Sequence, residues 1–167
     1  MSIRVQGIDC ITWDATYVSI EAFANEYYPK DDYDKNTTFI HAFNGTLPSD
    51  KPEDYMDIYC SFEVINRSLF DQVYVDALIS KLGEHAGNVL WSDSAGSGFG
   101  TYLHRLSKDS ITFRLAIYIG DMTDDNIKEM VQTMKASALC EGKYLGTREK
   151  EIGFKNSKDK ITIERAK

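Results

Sequence analysis

The chain has 167 residues, 43% apolar and 27% charged, with a net charge of −7 at pH 7. Those figures suit one globular domain with an ordinary core, so a single domain over residues 1–167 is expected. They exclude a membrane-spanning helix, since no run approaches ~20 apolar residues, and they argue against a nucleic-acid surface, which needs a basic patch.

The first residues, Met1-Ser-Ile-Arg-Val5, carry no apolar leader, and a cytoplasmic location is expected. Ile3–Val5 predicts a short strand ended by Gly7. Residues 11–28 fit two patterns. Tyr17, Ile20, Ala24 and Tyr27 fall at helical spacing, while Val18, Ile20 and Ala22 alternate. Length favours the helix. Residues 29–35 then form a charged loop with Asp31, Asp32 and Asp34. Calcium-loop spacing is absent from it, so a solvated loop is expected instead. Thr37–Phe43 alternates as a strand and runs into Asn44-Gly45, a tight-turn pair.

Two stretches alternate without interruption. Met56, Ile58, Cys60, Phe62 and Val64 make one apolar face, and Ile111, Phe113, Leu115, Ile117 and Ile119 make another. Both predict strands that share one inner face. The opposite face of the first, with Tyr55, Asp57, Tyr59, Ser61 and Glu63, is expected to be wet.

Between them, Ser68 followed by Asp71 resembles a capping box. It predicts a helix carrying Leu69, Val73, Ala77, Leu78 and Leu82. Asn88–Trp91, the glycine-rich run 95–100 and Tyr102–Leu106 suggest a hairpin leading into the strand at 111. After that strand, Thr123 predicts the cap of a second helix, with Asp124 and Asp125 at its positive end. Ile127, Met130, Val131, Met134 and Ala138 form its stripe, and Gly142 closes it. Strands are expected near Lys143–Leu145 and at Ile161–Ile163. The fold class that results is α+β: a largely antiparallel sheet with two or three helices packed mainly on one face.

Chemistry-bearing motifs are few. Gly96-Ser-Gly-Phe-Gly100 lacks both the spacing of a phosphate-binding fingerprint and a helix opening on it, so it reads as a loop. Cys10, Cys60 and Cys140 are far apart and odd in number, as expected of reduced core thiols. No His or Cys has a close partner, so no cofactor, metal or disulfide is expected. The three Asn-x-Ser/Thr sequons carry little meaning without a secretory leader. His41 and His104, each placed in a strand, with Arg105 could act on a phosphate-containing ligand as a small enzyme, but the Ser/Thr partners of two-histidine phosphoesterases are missing.

Charge distribution says more. Residues 1–80 hold 14 Asp/Glu against 5 Lys/Arg, while residues 81–167 hold 12 against 14. Six of the ten tyrosines lie in the first 70 residues. Tyrosine among carboxylates can merely solubilise a surface or fill a sheet, but it also suits recognition of a basic partner. The expected function is therefore a non-catalytic, acidic binding protein of the inhibitor or immunity kind that neutralises or sequesters a basic protein. Its contact residues are expected to be Asp31, Asp32, Tyr33, Asp34, Tyr55 and Asp57. No nucleic acid and no membrane is expected as partner, and a homo-oligomer is the remaining alternative.

Overall fold

A computed structural model describes residues 1–13, 48–49, 51–81, 83–92 and 101–165. Among these residues nine strands form two sheets that close on one hydrophobic core. The first sheet contains β1 (Ser2–Thr12), β2 (Tyr55–Ile65), β4 (Val89–Ser92), β6 (Lys108–Tyr118) and β9 (Ile161–Glu164), in the spatial order β4-β6-β2-β1-β9. The second contains β3 (Val73–Lys81), β5 (Thr101–Leu103), β7 (Lys135–Gly142) and β8 (Gly146–Gly153), in the order β5-β3-β7-β8. One α-helix, α1 (Asp124–Thr133), lies between β6 and β7.

This architecture corrects the expected α+β class. The chain is a two-sheet β structure, and the described residues contain one α-helix rather than two or three. Val73–Lys81, expected to be helical after Ser68, is a strand that pairs with both β5 and β7. The cap-like hydrogen bonds are nevertheless present: the Phe70 and Asp71 N–H groups donate to Ser68 Oγ at 3.2 and 2.9 Å. They tighten a turn, after which β-branched Val73 and Val75 turn into the core and the chain extends.

The second expected helix forms but is shorter than its stripe suggested. Thr123 Oγ1 accepts from the Asn126 N–H while Asn126 Oδ1 accepts from the Thr123 N–H, a reciprocal cap. Ile127, Met130 and Val131 are buried, as the stripe required. The helix then stops at an extended Met134, and Ala136, Ala138 and Cys140 alternate as the inner face of β7. Lys143–Leu145, expected to be a strand, is the turn joining β7 to β8, with Gly146 at a φ of +69°.

The two alternating stretches form the middle of the first sheet as expected. Their register places Met56 opposite Ile117, Ile58 opposite Leu115, Cys60 opposite Phe113 and Phe62 opposite Ile111, and all eight are buried. β1 does not stop at Gly7. A bulge between Val5 and Gly7 shifts the alternation by one residue, so Ile3 and Val5 before it and Ile8 and Cys10 after it all face the core. Residues 161–164 do form an edge strand, paired in parallel with β1. The expected hairpin across the glycine-rich run is not made. β4 pairs with β6 and β5 with β3, so the chain changes sheet between them. Phe62 of β2 meets Phe154, just after β8, edge to face at 5.7 Å and joins the two layers.

Of the helix expected over residues 11–28, Ile11 and Thr12 instead complete β1; residues 14–28, the strand 37–43 and the Asn44-Gly45 turn lie outside the described residues, as does the glycine-rich segment 95–100. No helix among the described residues is long and apolar enough to cross a membrane.

Candidate functional site

Of the six residues expected to contact a basic partner, Asp31, Asp32, Tyr33 and Asp34 lie outside the described residues. Tyr55 and Asp57 are described, and the structure places them inside the protein at 0% and 4% exposure. The expectation that both project from a wet strand face is therefore corrected. Period two does put them on the opposite face from Met56 and Ile58, but at this end of β2 both faces are buried. The Tyr55 ring stacks on Trp13 at 5.1 Å and meets Tyr118 at 5.6 Å. Its hydroxyl donates to the Ser49 carbonyl and accepts from the Ser49 N–H.

Asp57 is held by Arg114, whose Nη2 donates to Asp57 Oδ2 at 2.6 Å. The guanidinium also lies over the Tyr59 ring, 5.6 Å from its centre. Burial pushes the Asp57 carboxyl above its usual range, against the hydrogen bond and charge of Arg114, which pull it down. This cluster consists of a buried ion pair and stacked rings, and it is built to hold two strands together.

The histidines do not converge among the described residues. His41 falls outside them, His85 sits half-buried in a short 3-10 turn and His104 is exposed on a turn. His104 therefore follows β5 instead of lying within a strand. Among the described residues no group of three or more His, Cys, Asp and Glu could hold a metal ion. Cys10, Cys60 and Cys140 are buried. Burial and the charge of Asp9 push the Cys10 thiol up to about 12, which removes it as a nucleophile at neutral pH.

A different surface stands out. Three connections meet at one end of the two sheets: residues 66–72 between β2 and β3, residues 104–107 between β5 and β6, and residues 143–145 between β7 and β8. Two buried polar side chains tie them together. Asn66, at 2% exposure, donates from Nδ2 to the carbonyls of Asp71, Leu103 and His104. Asp71, at 3%, accepts at Oδ2 from the N–H groups of Tyr144 (2.9 Å) and Leu145 (2.6 Å). Gly142 makes room for that carboxylate, because a Cβ there would lie 2.6 Å from Asp71 Oδ2. Backbone bonds from Asn66 N–H to Ser107 O and from Leu106 N–H to Ser68 O complete the junction.

Large apolar side chains project from this pinned end. Leu69, Phe70, Leu106 and Tyr144 are 62–72% exposed, and they are four of the seven large apolar residues left exposed among those described. Leu106 stands at a φ of +53°, a conformation in which Gly or Asn would be cheaper, and still presents its side chain to solvent. Isolated exposed apolar residues are normal, but four gathered on adjoining loops make this end the candidate contact surface. Sequence reasoning missed it because Leu69 was assigned to a helical stripe. The available signal was Leu69-Phe70, an apolar pair enclosed by the turn formers Asn66, Ser68 and Asp71.

No family model, curated protein or solved structure matches this chain.

Proposed function

We propose that the chain is a non-catalytic binding module whose contact surface is the three-loop end carrying Leu69, Phe70, Leu106 and Tyr144. The observation that carries this reading is the contrast at that end between pinned backbone and exposed apolar side chains. Asn66 and Asp71 fix the loops from inside, so the apolar groups are presented without first being ordered, and an ordered surface binds with a smaller entropic loss. Capture of a basic protein through Asp31, Asp32, Tyr33 and Asp34 remains a second proposal, supported by the acidity of the first 80 residues. Tyr55 and Asp57 leave it because both are buried.

The test uses a photo-crosslinking amino acid placed at Phe70, at Tyr144 or at Lys150, an exposed position on edge strand β8. Irradiation in cells of the native source should give a common adduct from positions 70 and 144 and none from 150. Equal labelling at all three positions, or none at 70 and 144, would refute the loop end as the contact surface.

A further inference from the structure

We infer that the ligand of this loop end is an anionic bilayer surface, into which Leu69, Phe70, Leu106 and Tyr144 dip while Arg67, Arg105 and Lys143 meet lipid phosphates and carboxylates. The inference rests on the contact surface proposed above and adds the chemistry of what it contacts. Two independent features carry it.

The first is charge. The exposed charged residues of the three loops are Arg67, Arg105 and Lys143, all cationic. The one carboxylate on them, Asp71, is buried and faces inward to the Tyr144 and Leu145 amides. Over the next few rungs the strands are balanced, with Arg4, Lys108 and Arg148 against Glu63, Asp109 and Glu141. The protein is acidic in total, yet the tip it presents carries three positive charges and no exposed negative one. Carboxylates more than ~8 Å away are screened at physiological ionic strength, so the tip's own charges decide the contact. Each cation near an anionic leaflet strengthens binding about fivefold, and three together give roughly a hundredfold.

The second feature is that the loop backbone satisfies much of its own hydrogen bonding. Ser68 Oγ takes the Phe70 and Asp71 N–H groups, and Asp71 takes those of Tyr144 and Leu145. Asn66 Nδ2 takes three carbonyls, and Ser107 Oγ donates again to the His104 carbonyl. Such bonds pre-organise the loops for any partner, but where one is missing a protein could supply it. Hydrocarbon cannot, so peptide groups lowered toward it must be bonded internally. Tyr144, with the Lys143 ammonium 5.3 Å from its ring centre, is the aromatic-plus-cation pairing that suits the headgroup boundary. The earlier expectation of no membrane contact rested on the lack of a spanning segment, which does not bear on attachment from one side. The attachment is reversible, since a few inserted side chains anchor less firmly than a spanning helix.

The full chain should co-sediment with phosphatidylcholine vesicles containing about a third phosphatidylserine and far less with phosphatidylcholine alone. Leu69→Ser with Phe70→Ser should lower binding by roughly tenfold or more, as loss of two buried apolar groups demands. Arg67→Glu with Arg105→Glu should abolish the preference for phosphatidylserine, and added salt should weaken the wild type. All substituted side chains are exposed, and unchanged melting curves will show that the variants fold. No binding to the mixed vesicles, or binding that both double variants retain, overturns the inference. If the crosslinked adduct at Phe70 is a protein and vesicles are ignored, the bilayer is excluded while the contact surface stands.

Discussion

Arg114→Met is expected to destabilise the protein in a way that depends on pH. The wild-type pair has its charged atoms 2.6 Å apart, with only 11% and 5% of the Arg114 and Asp57 side chains exposed. Methionine fills the space of the arginine stem against Tyr59 but leaves a buried carboxylate without its cation. Removing one member of such a pair costs about 3–5 kcal/mol. For a domain of this size that corresponds to a fall in Tm of roughly 10 °C. Burial already holds the Asp57 carboxyl above its usual range, and without Arg114 it must rise further. A carboxyl raised in the folded state favours folding while it is protonated, and that contribution is lost as pH rises from the unfolded-state value through the folded one. The deficit of Arg114→Met should therefore be small near pH 4.5 and complete by pH 8. Converting both residues, Asp57→Leu with Arg114→Met, should return stability to within about 1 kcal/mol of wild type, because neither charge is then left buried alone. Urea unfolding of the wild type, the single and the double variant at both pH values, with m-values checked for constancy, measures all of this. A single-variant deficit equal at pH 4.5 and pH 8, or a double variant as unstable as the single, would refute the reasoning.

Two further outcomes follow from buried groups. In the folded chain, Cys10, pushed up to about 12, should resist iodoacetamide at pH 8, and labelling should follow the rate of unfolding; modification at the rate of a free thiol would contradict its burial. Gly142→Ala should drive the Asp71 carboxylate from its place, cost about 1–3 kcal/mol and speed amide exchange at Tyr144 and Leu145 while leaving α1 unchanged. Unaltered protection at those two amides would show that Asp71 does not hold the turn.

The parts of the fold legible in the sequence are those where only one period fits. Met56–Val64 and Ile111–Ile119 each alternate over nine residues and admit no helical reading; β2 holds the first run, and β6 holds the second up to Tyr118. Thr123 with Asn126 wrote the start of α1 in local hydrogen bonds that need no tertiary partner. β3 and β7 were illegible because the apolar residues singled out in or next to them, Val73 with Ala77 and Met134 with Ala138, are four apart. That spacing satisfies a strand face and a helix face alike. What decided them is pairing across the sheet, Val75 beside Cys140 and Ala77 beside Ala138, between segments some sixty residues apart. The same holds for Asp57. Its partner is 57 positions away, so nothing near it in the chain signalled that its face is closed. At the loop end, Asn66, Ser68 and Asp71 were visible as turn formers. That Asn66 would also hold the carbonyls of Leu103 and His104 depends on the loops meeting in space.

The parallel seam between β1 and β9 bears on how the protein is made. Ile8 to Ile11 lie beside Ile161 to Glu164, and the Thr12 hydroxyl donates to the Glu164 carbonyl across 152 positions. The β7–β8 hairpin closes over a short turn and can form within microseconds, whereas a seam of this span must wait for long-loop closure. During synthesis β1 leaves the ribosome long before its neighbour on that side exists, with one row of backbone amides and carbonyls unclaimed. Such an edge is a template for pairing with another chain, and Arg4 and Asp9, exposed along β1, are charges that discourage it. Yield in a cell will thus depend on how fast translation reaches β9, and on chaperones that shield the edge until then, as well as on the stability of the finished structure.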